Sequence, residues 1–331
     1  MSDADPDPEA DATEAADLDA PGDLDPEAVQ ADIARLREAV HRRIVGQHEA
    51  VEALLVCLLC DGNALLESVP GLGKTTLVRT VADATDLSYS RIQNTPDLMP
   101  SDITGTEIIR EGEGQREFVF EQGPVFANVV LADEINRATP KTQAALLEAM
   151  QEKQVTAAGE TYRLPSPFFL LATQNPIEQE GTYPLPEAQT DRFMLKVVMN
   201  YPNRDEEIDI VERYASRAAE IPVDRVLDRE RLLAAQDLVR QVPIADDVRD
   251  AAIDLVRATR ETETLDLGAS PRASMALVRA AKARAFLEER AYVRREDVEA
   301  TAVPVLQHRI ALDFRAEREG LTPADVVADL L

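Results

Sequence analysis

The sequence predicts an α/β protein: a phosphate-binding core built on a five-stranded, mainly parallel sheet, followed by an all-α lid. Three observations carry that expectation. A short apolar run, Ala64-Leu65-Leu66, leads through Ser68-Val69-Pro70-Gly71-Leu72-Gly73 into Lys74-Thr75-Thr76 and a helical stretch, the strand–loop–helix setting of a phosphate-binding loop. A second apolar run, Val129-Val130-Leu131-Ala132, ends in Asp133 and Glu134, as a buried parallel strand does when it delivers carboxylates to the ligand-binding end of an open sheet. After Tyr201-Pro202-Asn203 the apolar spacing becomes helical.

Residues 1–26 are rich in Asp, Ala and Pro and nearly devoid of large apolar side chains, so they form an acidic tail that cannot bury a core and is expected to be disordered. The phosphate-binding core is expected over residues 27–202 and the helical lid over 203–331. Within the core, Val29, Ile33, Leu36 and Val40 define one face of a helix over 28–43, and a second helix covers 49–59. Strands follow at 64–66 and 88–92, with the helix at 74–83 between them. Thr95-Pro96-Asp97-Leu98-Met99-Pro100-Ser101-Asp102 reads as turn chemistry. Two hairpins are expected, one pairing 106–109 with 117–120 through Glu111-Gly112-Glu113-Gly114, the other around 156–164. A helix over 140–151 and buried strands at 168–172 and 193–198 complete the core. The lid reads as helices near 204–217, 229–240, 245–260, 272–288 and 295–307.

The loop residues have distinct tasks. Glycines let backbone N–H groups curl around phosphates, and the start of the next helix presents its positive dipole end. Lys74 reaches the β- and γ-phosphates, and the Thr75 hydroxyl is a Mg²⁺ ligand. The loop pattern places Gly where this chain has Ser68, a cost if that position needs φ > 0. Asp133 is the second Mg²⁺-shell residue, and Glu134 polarises the attacking water.

Composition narrows the function. The 35 basic and 62 acidic residues leave a net charge of −27. Residues 1–27 hold eleven acids and no Lys or Arg, and removing them leaves −16. Five lysines stand against thirty arginines. Low Lys with abundant Asp, Glu and Ala resembles proteins of salt-saturated, halophilic cytoplasm; a high-GC genome accounts for the same bias. An acidic body opposes nucleic-acid binding, which depends on phosphate neutralisation. The longest apolar run, Val51 to Cys60, is too short to cross a membrane and contains Glu52. The N-terminus has no signal-peptide pattern, so a cytoplasmic protein is expected. Cys57 and Cys60 lie on a helix apolar nearly all round and read as buried structural thiols.

By Asp133-Glu134-Ile135-Asn136-Arg137-Ala138 the chain resembles the MoxR-type AAA+ ATPases, over about residues 27–331. Ile44-Val45-Gly46-Gln47 resembles the segment over the adenine, which adds Val45 and Gly46 to the cofactor-binding set of Pro70, Gly71, Leu72, Gly73, Lys74, Thr75 and Thr76. Phe118-Val119-Phe120-Glu121-Gln122-Gly123-Pro124 resembles a signature upstream of the acidic pair. Ala172-Thr173-Gln174-Asn175-Pro176 resembles the sensor-1 strand end, with Asn175 the sensor. Leu185-Pro186-Glu187-Ala188-Gln189-Thr190-Asp191-Arg192-Phe193 resembles the arginine-finger segment, with Arg192 the finger. Gly268-Ala269-Ser270-Pro271-Arg272 resembles the start of the sensor-2 helix, with Arg272 the sensor.

The resemblance implies ATP and Mg²⁺ as cofactors, a ring that is most often a hexamer, and remodelling or maturation of protein clients with von Willebrand factor A domains. The two hairpins resemble the insertions of an AAA+ branch that includes chelatase-type motor subunits and replicative helicases. A nucleic-acid translocase or chelatase-type motor is therefore the alternative reading. In that branch Arg272 can serve its own or a neighbour's nucleotide, and Arg137 can sense nucleotide, bridge subunits or form a structural ion pair.

Overall fold

The structure, a computed structural model, describes residues 25–112, 115–157, 159–177, 181–215 and 223–331. The acidic tail before Asp25 and the tip of the first hairpin at Glu113-Gly114 lie outside the described residues.

The chain opens with helix α1 (Pro26–Arg43) and helix α2 (His48–Leu59). Asp25 caps α1, accepting from the Glu27 N–H, and Pro26 takes the first turn, where its missing N–H costs nothing. The helix thus begins one residue inside the stretch that composition assigns to the tail. Strand β1 (Ala64–Ser68), helix α3 (Lys74–Ala84), strand β2 (Tyr89–Gln93) and the short helix α4 (Pro100–Thr104) follow. Strands β3 (Gly105–Gly112) and β4 (Gln115–Gln122) form an antiparallel hairpin. Next come β5 (Val129–Asp133), a 3₁₀ turn (Ile135–Arg137), α5 (Pro140–Glu152), a second hairpin of β6 (Gln154–Ala157) and β7 (Glu160–Arg163), β8 (Phe169–Gln174), the single turn α6 (Glu187–Thr190) and β9 (Leu195–Met199). The C-terminal part holds α7 (Arg204–Ala215), α8 (Arg229–Gln241), α9 (Asp246–Ala258), β10 (Leu265–Leu267), α10 (Pro271–Leu287), α11 (Arg295–Leu306), β11 (Ala311–Leu312), α12 (Phe314–Glu319) and α13 (Pro323–Asp329).

Five strands form one sheet in the order β2-β5-β8-β1-β9, with every pairing parallel. Alternation along each strand explains its burial on both faces. Ala64, Leu66, Val129, Leu131, Phe169 and Leu171 join a core with α1, α2, α3 and the C-terminal helices. Leu65, Val130, Ala132, Leu170 and Ala172 face the other way, against Leu146, Leu147 and Met150 of α5.

The two hairpins stand outside this sheet and touch each other. Phe120 of β4 stacks on Tyr162 of β7, with ring centroids 4.0 Å apart and planes 13° from parallel. The helical part carries one addition to the expected all-α pattern, the two-stranded antiparallel pair of β10 and β11. Cys57 and Cys60 are free and fully buried. Burial raises both thiols, Cys60 to about 12, which keeps them protonated and inert, as structural thiols are.

Candidate functional site

The phosphate loop begins where β1 ends. Ser68 is still in the strand, paired with Met199, and its buried hydroxyl donates to the Val69 carbonyl at 2.8 Å. It is not among the residues with positive φ, so the expected cost of Ser at this position does not arise. The left-handed positions are Gly71 (φ 87°) and Gly73 (φ 83°), where a side chain would be strained. A Cβ at either glycine would meet nothing within 4 Å; the backbone conformation, not crowding, demands glycine, and the loop is open on that face. Gly73 is the N-cap of α3 and Lys74 its first residue. The Lys74 ammonium folds back to the Ser68 carbonyl at 3.5 Å. Thr75 and Thr76 follow in the first turn, both half-buried.

The acids lie two strands away. Asp133 closes β5 and is 6% exposed. The Thr173 hydroxyl donates to Asp133 Oδ1 at 2.6 Å, and the Arg91 guanidinium meets Oδ2 at 2.6 Å. The Asn94 backbone N–H and side-chain amide both donate to the Asp133 carbonyl, at 3.0 and 2.8 Å. Glu134 leaves the strand in the left-handed region (φ 54°, ψ 51°), and its N–H donates to Thr173 Oγ1 at 2.9 Å. Its carboxylate accepts from the Gln93 amide at 3.0 Å and pairs with Arg137 at 3.3 Å. Of the three roles open to Arg137, the ion pair is the one the described geometry contains.

Asn175 follows β8 and is 4% exposed; its side-chain oxygen accepts from the Ile177 N–H at 3.2 Å. Because β5, β8 and β1 are neighbours in a parallel sheet, Asp133, Glu134, Asn175 and the loop emerge side by side at one edge. Val45 and Gly46 sit between α1 and α2. Gly46 has φ 65°, and a Cβ there would come within 2.7 Å of the Glu206 side chain of α7. The neighbouring Gln47 amide donates to the Asn200 carbonyl at 2.7 Å, so this segment is clamped against the start of the helical region.

Arg192 and Arg272 are not brought to that edge. Arg192 is exposed, bonded to the Gln151 side chain, and precedes the N-terminal end of β9. Since Ala64 pairs with Leu195 and Ser68 with Met199, the length of the sheet separates it from the loop of its own chain, about 13 Å for four residue steps alone. Arg272 is exposed in the first turn of α10, and its cap, Ser270, donates to Asp191 beside Arg192. The two arginines thus share one neighbourhood, away from the three strand ends.

The donors at the strand ends fit a nucleotide triphosphate with Mg²⁺. The loop offers backbone N–H groups at a helix start, an ammonium and an open face. Asp133 and the Thr75 hydroxyl are the oxygen donors that Mg²⁺ prefers, and the Arg91 pair shows that Asp133 takes a cationic partner here. The sequence did not single out Arg91, Gln93, Asn94 and Thr173, which contact Asp133 and Glu134. The available signal was polar side chains at the C-terminal ends of apolar strands.

Comparison with known proteins agrees with this geometry. Residues 63–195 match the model of the ATPase family associated with various cellular activities (AAA), and residues 257–330 match the AAA lid domain. The chain is 43% identical to chaperone MoxR1 of Mycobacterium tuberculosis, over 92% of this chain and 83% of that one. It is 43% identical to the uncharacterized protein YeaC of Bacillus subtilis, over 89% and 91%, and 33% identical to protein MoxR of Methylorubrum extorquens, over 90% and 92%. A crystal structure from Cytophaga hutchinsonii, described as a candidate ATPase, superposes with a TM-score of 0.86 at 41% identity, covering 92% of this chain and 94% of the other. An AAA domain on a five-stranded parallel sheet followed by an AAA lid, with these relatives, places the chain in the MoxR family of AAA ATPases, to which it belongs.

Proposed function

We propose that this protein is a ring-forming, Mg²⁺-dependent ATPase, a hexamer, that uses hydrolysis of ATP to remodel or mature protein clients, with von Willebrand factor A domain proteins as partners. The observation that carries the reading is the split of the site. Lys74, Thr75, Asp133, Glu134 and Asn175 gather at one edge of the sheet, while Arg192 and Arg272 lie beyond the other end of β9. On this reading the core spans 27–202 and the lid 203–331, and both arginines serve a neighbouring subunit's nucleotide.

Lys74 neutralises the β- and γ-phosphates, and the loop N–H groups of residues 70–76 orient them, with Val45 and Gly46 against the base. Asp133 and Thr75 hold Mg²⁺, which when bound supplies charge neutralisation to the phosphates. Glu134, steadied by Gln93 and by Thr173 on its backbone, orients water and accepts its proton. Asn175 places that water opposite the leaving oxygen. Arg192 of the adjacent subunit stabilises charge on the transferred phosphoryl group. Client handling is supported by the β3–β4 hairpin, where Ile109 and Phe118 pair across the strands and are 55% and 68% exposed.

The second reading, a nucleic-acid translocase or chelatase-type motor, rests on the two hairpins; stimulation of hydrolysis by DNA would favour it. The test of the main reading is a pair of variants. Lys74→Ala should lose ATP binding. Glu134→Gln should bind ATP, lose turnover and retain clients in a pull-down. Wild-type hydrolysis by both would overturn the site assignment. Mixing Lys74→Ala with Arg192→Ala subunits, once exchange is verified by fluorescence transfer, should restore partial activity.

A further inference from the structure

The arginine-finger turn is gripped by the turn that follows helix α11, residues 307–309, more than a hundred residues later in sequence. Arg309 is 5% exposed, yet its guanidinium is bonded on every side. Nε donates to Asp191 Oδ1 at 3.0 Å. One terminal nitrogen reaches the Met194 carbonyl at 3.1 Å and the Val305 carbonyl. The other reaches the Phe193 carbonyl and the Asp191 carbonyl, the latter at 3.4 Å. Four of these five contacts fall on residues 191–194, on both sides of Arg192. The residues flanking Arg309 add to the grip. His308 Nε2 meets the Phe193 carbonyl at 3.0 Å, Thr190 Oγ1 donates to the His308 carbonyl at 3.1 Å, and the Gln307 amide donates to the Lys196 carbonyl at 2.9 Å.

Asp191 has a second partner. The Ser270 hydroxyl donates to its carboxylate at 3.0 and 3.1 Å and accepts the Arg272 N–H at 3.2 Å as the cap of α10. A buried cation without its carboxylate is costly; burial already lowers Arg309 to about 10 against the opposing pull of Asp191. The pair therefore fixes the backbone on either side of a side chain that is itself exposed.

We propose that Asp191, clamped by Arg309 in the turn after α11 and by Ser270 at the cap of α10, is the positioning residue that aims Arg192, so that the helical lid sets the geometry of the finger its own subunit presents. This rests on the reading of Arg192 as a finger. The consequence is directional: a lid that shifts on its own nucleotide's hydrolysis carries the finger turn with it and alters the next site.

The test uses the full-length protein. Asp191→Asn keeps the shape and removes the charge. Ser270→Gly removes only the hydroxyl contact, because Gly is nearly as good a helix cap as Ser. Each should lower kcat by about 10- to 100-fold, the scale expected when a catalytic group is misplaced by about 1 Å. ATP affinity, measured with a fluorescent analogue, should stay within about twofold of wild type, since no ground-state contact is lost. The deciding measurement is the double variant. Added to Arg192→Ala, Asp191→Asn should change the residual rate by no more than about twofold, because the group it aims is gone. A full multiplicative loss in the double variant, or a loss of ATP affinity parallel to kcat, would overturn the proposal and leave Asp191 a structural residue. Should Asp191→Asn not assemble, Ser270→Gly with and without Arg192→Ala decides by the same criteria. Wild-type turnover by Arg192→Ala alone would instead overturn the finger reading on which the proposal stands.

Discussion

Thr173→Val should disable the acid pair without touching either acid. Thr173 is fully buried in β8, and valine matches its shape. The hydroxyl makes two bonds in opposite senses: it donates to Asp133 Oδ1 at 2.6 Å and accepts from the Glu134 N–H at 2.9 Å. Valine leaves a buried N–H without a partner, which costs about 1–3 kcal/mol, and removes a hydrogen bond to a charged group worth about 1.5–3 kcal/mol. Partial relaxation and the retained Arg91 contact on Oδ2 bring the sum to about 2–4 kcal/mol. Glu134 is especially exposed to the change because its left-handed backbone is itself disfavoured by about 1–2 kcal/mol, and the Thr173 bond is the one that holds its backbone N–H.

Scanning calorimetry should show a melting temperature lower by about 4–10 °C. Steady-state phosphate release should fall by about 10- to 100-fold, since the water-orienting carboxylate loses its fixed geometry. Thr173→Ser, which restores the hydroxyl, should recover most of both. A valine variant that melts and hydrolyses like wild type would refute the reasoning, as would a serine variant no better than valine.

Gln93→Ala should lower kcat by about tenfold with little change in ATP affinity, because it frees the Glu134 carboxylate and leaves the phosphate loop intact; kinetics with phosphate release measure both. His308 is pressed well below its ordinary value by burial and then by the Arg309 charge, so the folded state holds it neutral. Protons therefore favour the unfolded chain, and stability that is complete above pH about 6.5 should fall as the pH drops, by up to about 1.4 kcal/mol per unit for this one group. Comparing the acid limb of unfolding in wild type and His308→Gln isolates it. The body from residue 28 onward carries −16, so its melting temperature should rise from low to molar KCl as screening relieves self-repulsion; a flat response would favour the high-GC explanation of the composition. Removing residues 1–24 should leave the ATPase rate within about twofold, since a segment nearly devoid of large apolar side chains contributes no core.

The placement of the candidate site's main axis at the strand ends was legible because its residues come as contiguous motifs with local consequences. An apolar strand running into Gly71-Leu72-Gly73-Lys74 can end in little but a loop and helix, and Val129 to Asp133 could only be a buried strand with an acid at its tip. Short elements were less legible. Thr95–Asp102 reads as turns, yet Pro100–Thr104 closes into a helix because Pro100 suits a first turn and Asp102 accepts the Met99 N–H at 2.8 Å; the same residues serve either fate. The β10–β11 pair is only three and two residues long, too brief for alternation to register. Least legible were residues whose meaning lies in a distant partner. Arg309 looks in sequence like one more cation of a charged chain, and its burial comes only from the fold that brings 191–194 against it. Arg91 and Gln93 sit at the end of an edge strand where polarity signals solvent, and only the β2–β5 register, which sets Gln93 opposite Asp133, turns them toward the acids.

That register points to the reason a single subunit falls short on the proposed reading. A parallel sheet gathers the C-terminal ends of its strands at one edge, and with them the groups proposed to hold phosphate, metal and water. Any residue that precedes a strand is delivered to the opposite edge, and Arg192 precedes β9. No side-chain rotamer closes a gap set by strand length. On the proposed reading, an arginine required at the γ-phosphate comes from another chain, and the topology that builds the site would make assembly the condition for its use. The hydrogen bonds of Arg309 and Ser270 give that division a further consequence. On that reading Arg192 stands on a turn held by its own subunit's lid, so each subunit would offer its finger in a geometry that depends on the state of its helical part. Sequential coupling around a ring would need no wire through the sheet, only a lid that moves as a body and a turn that cannot move without it.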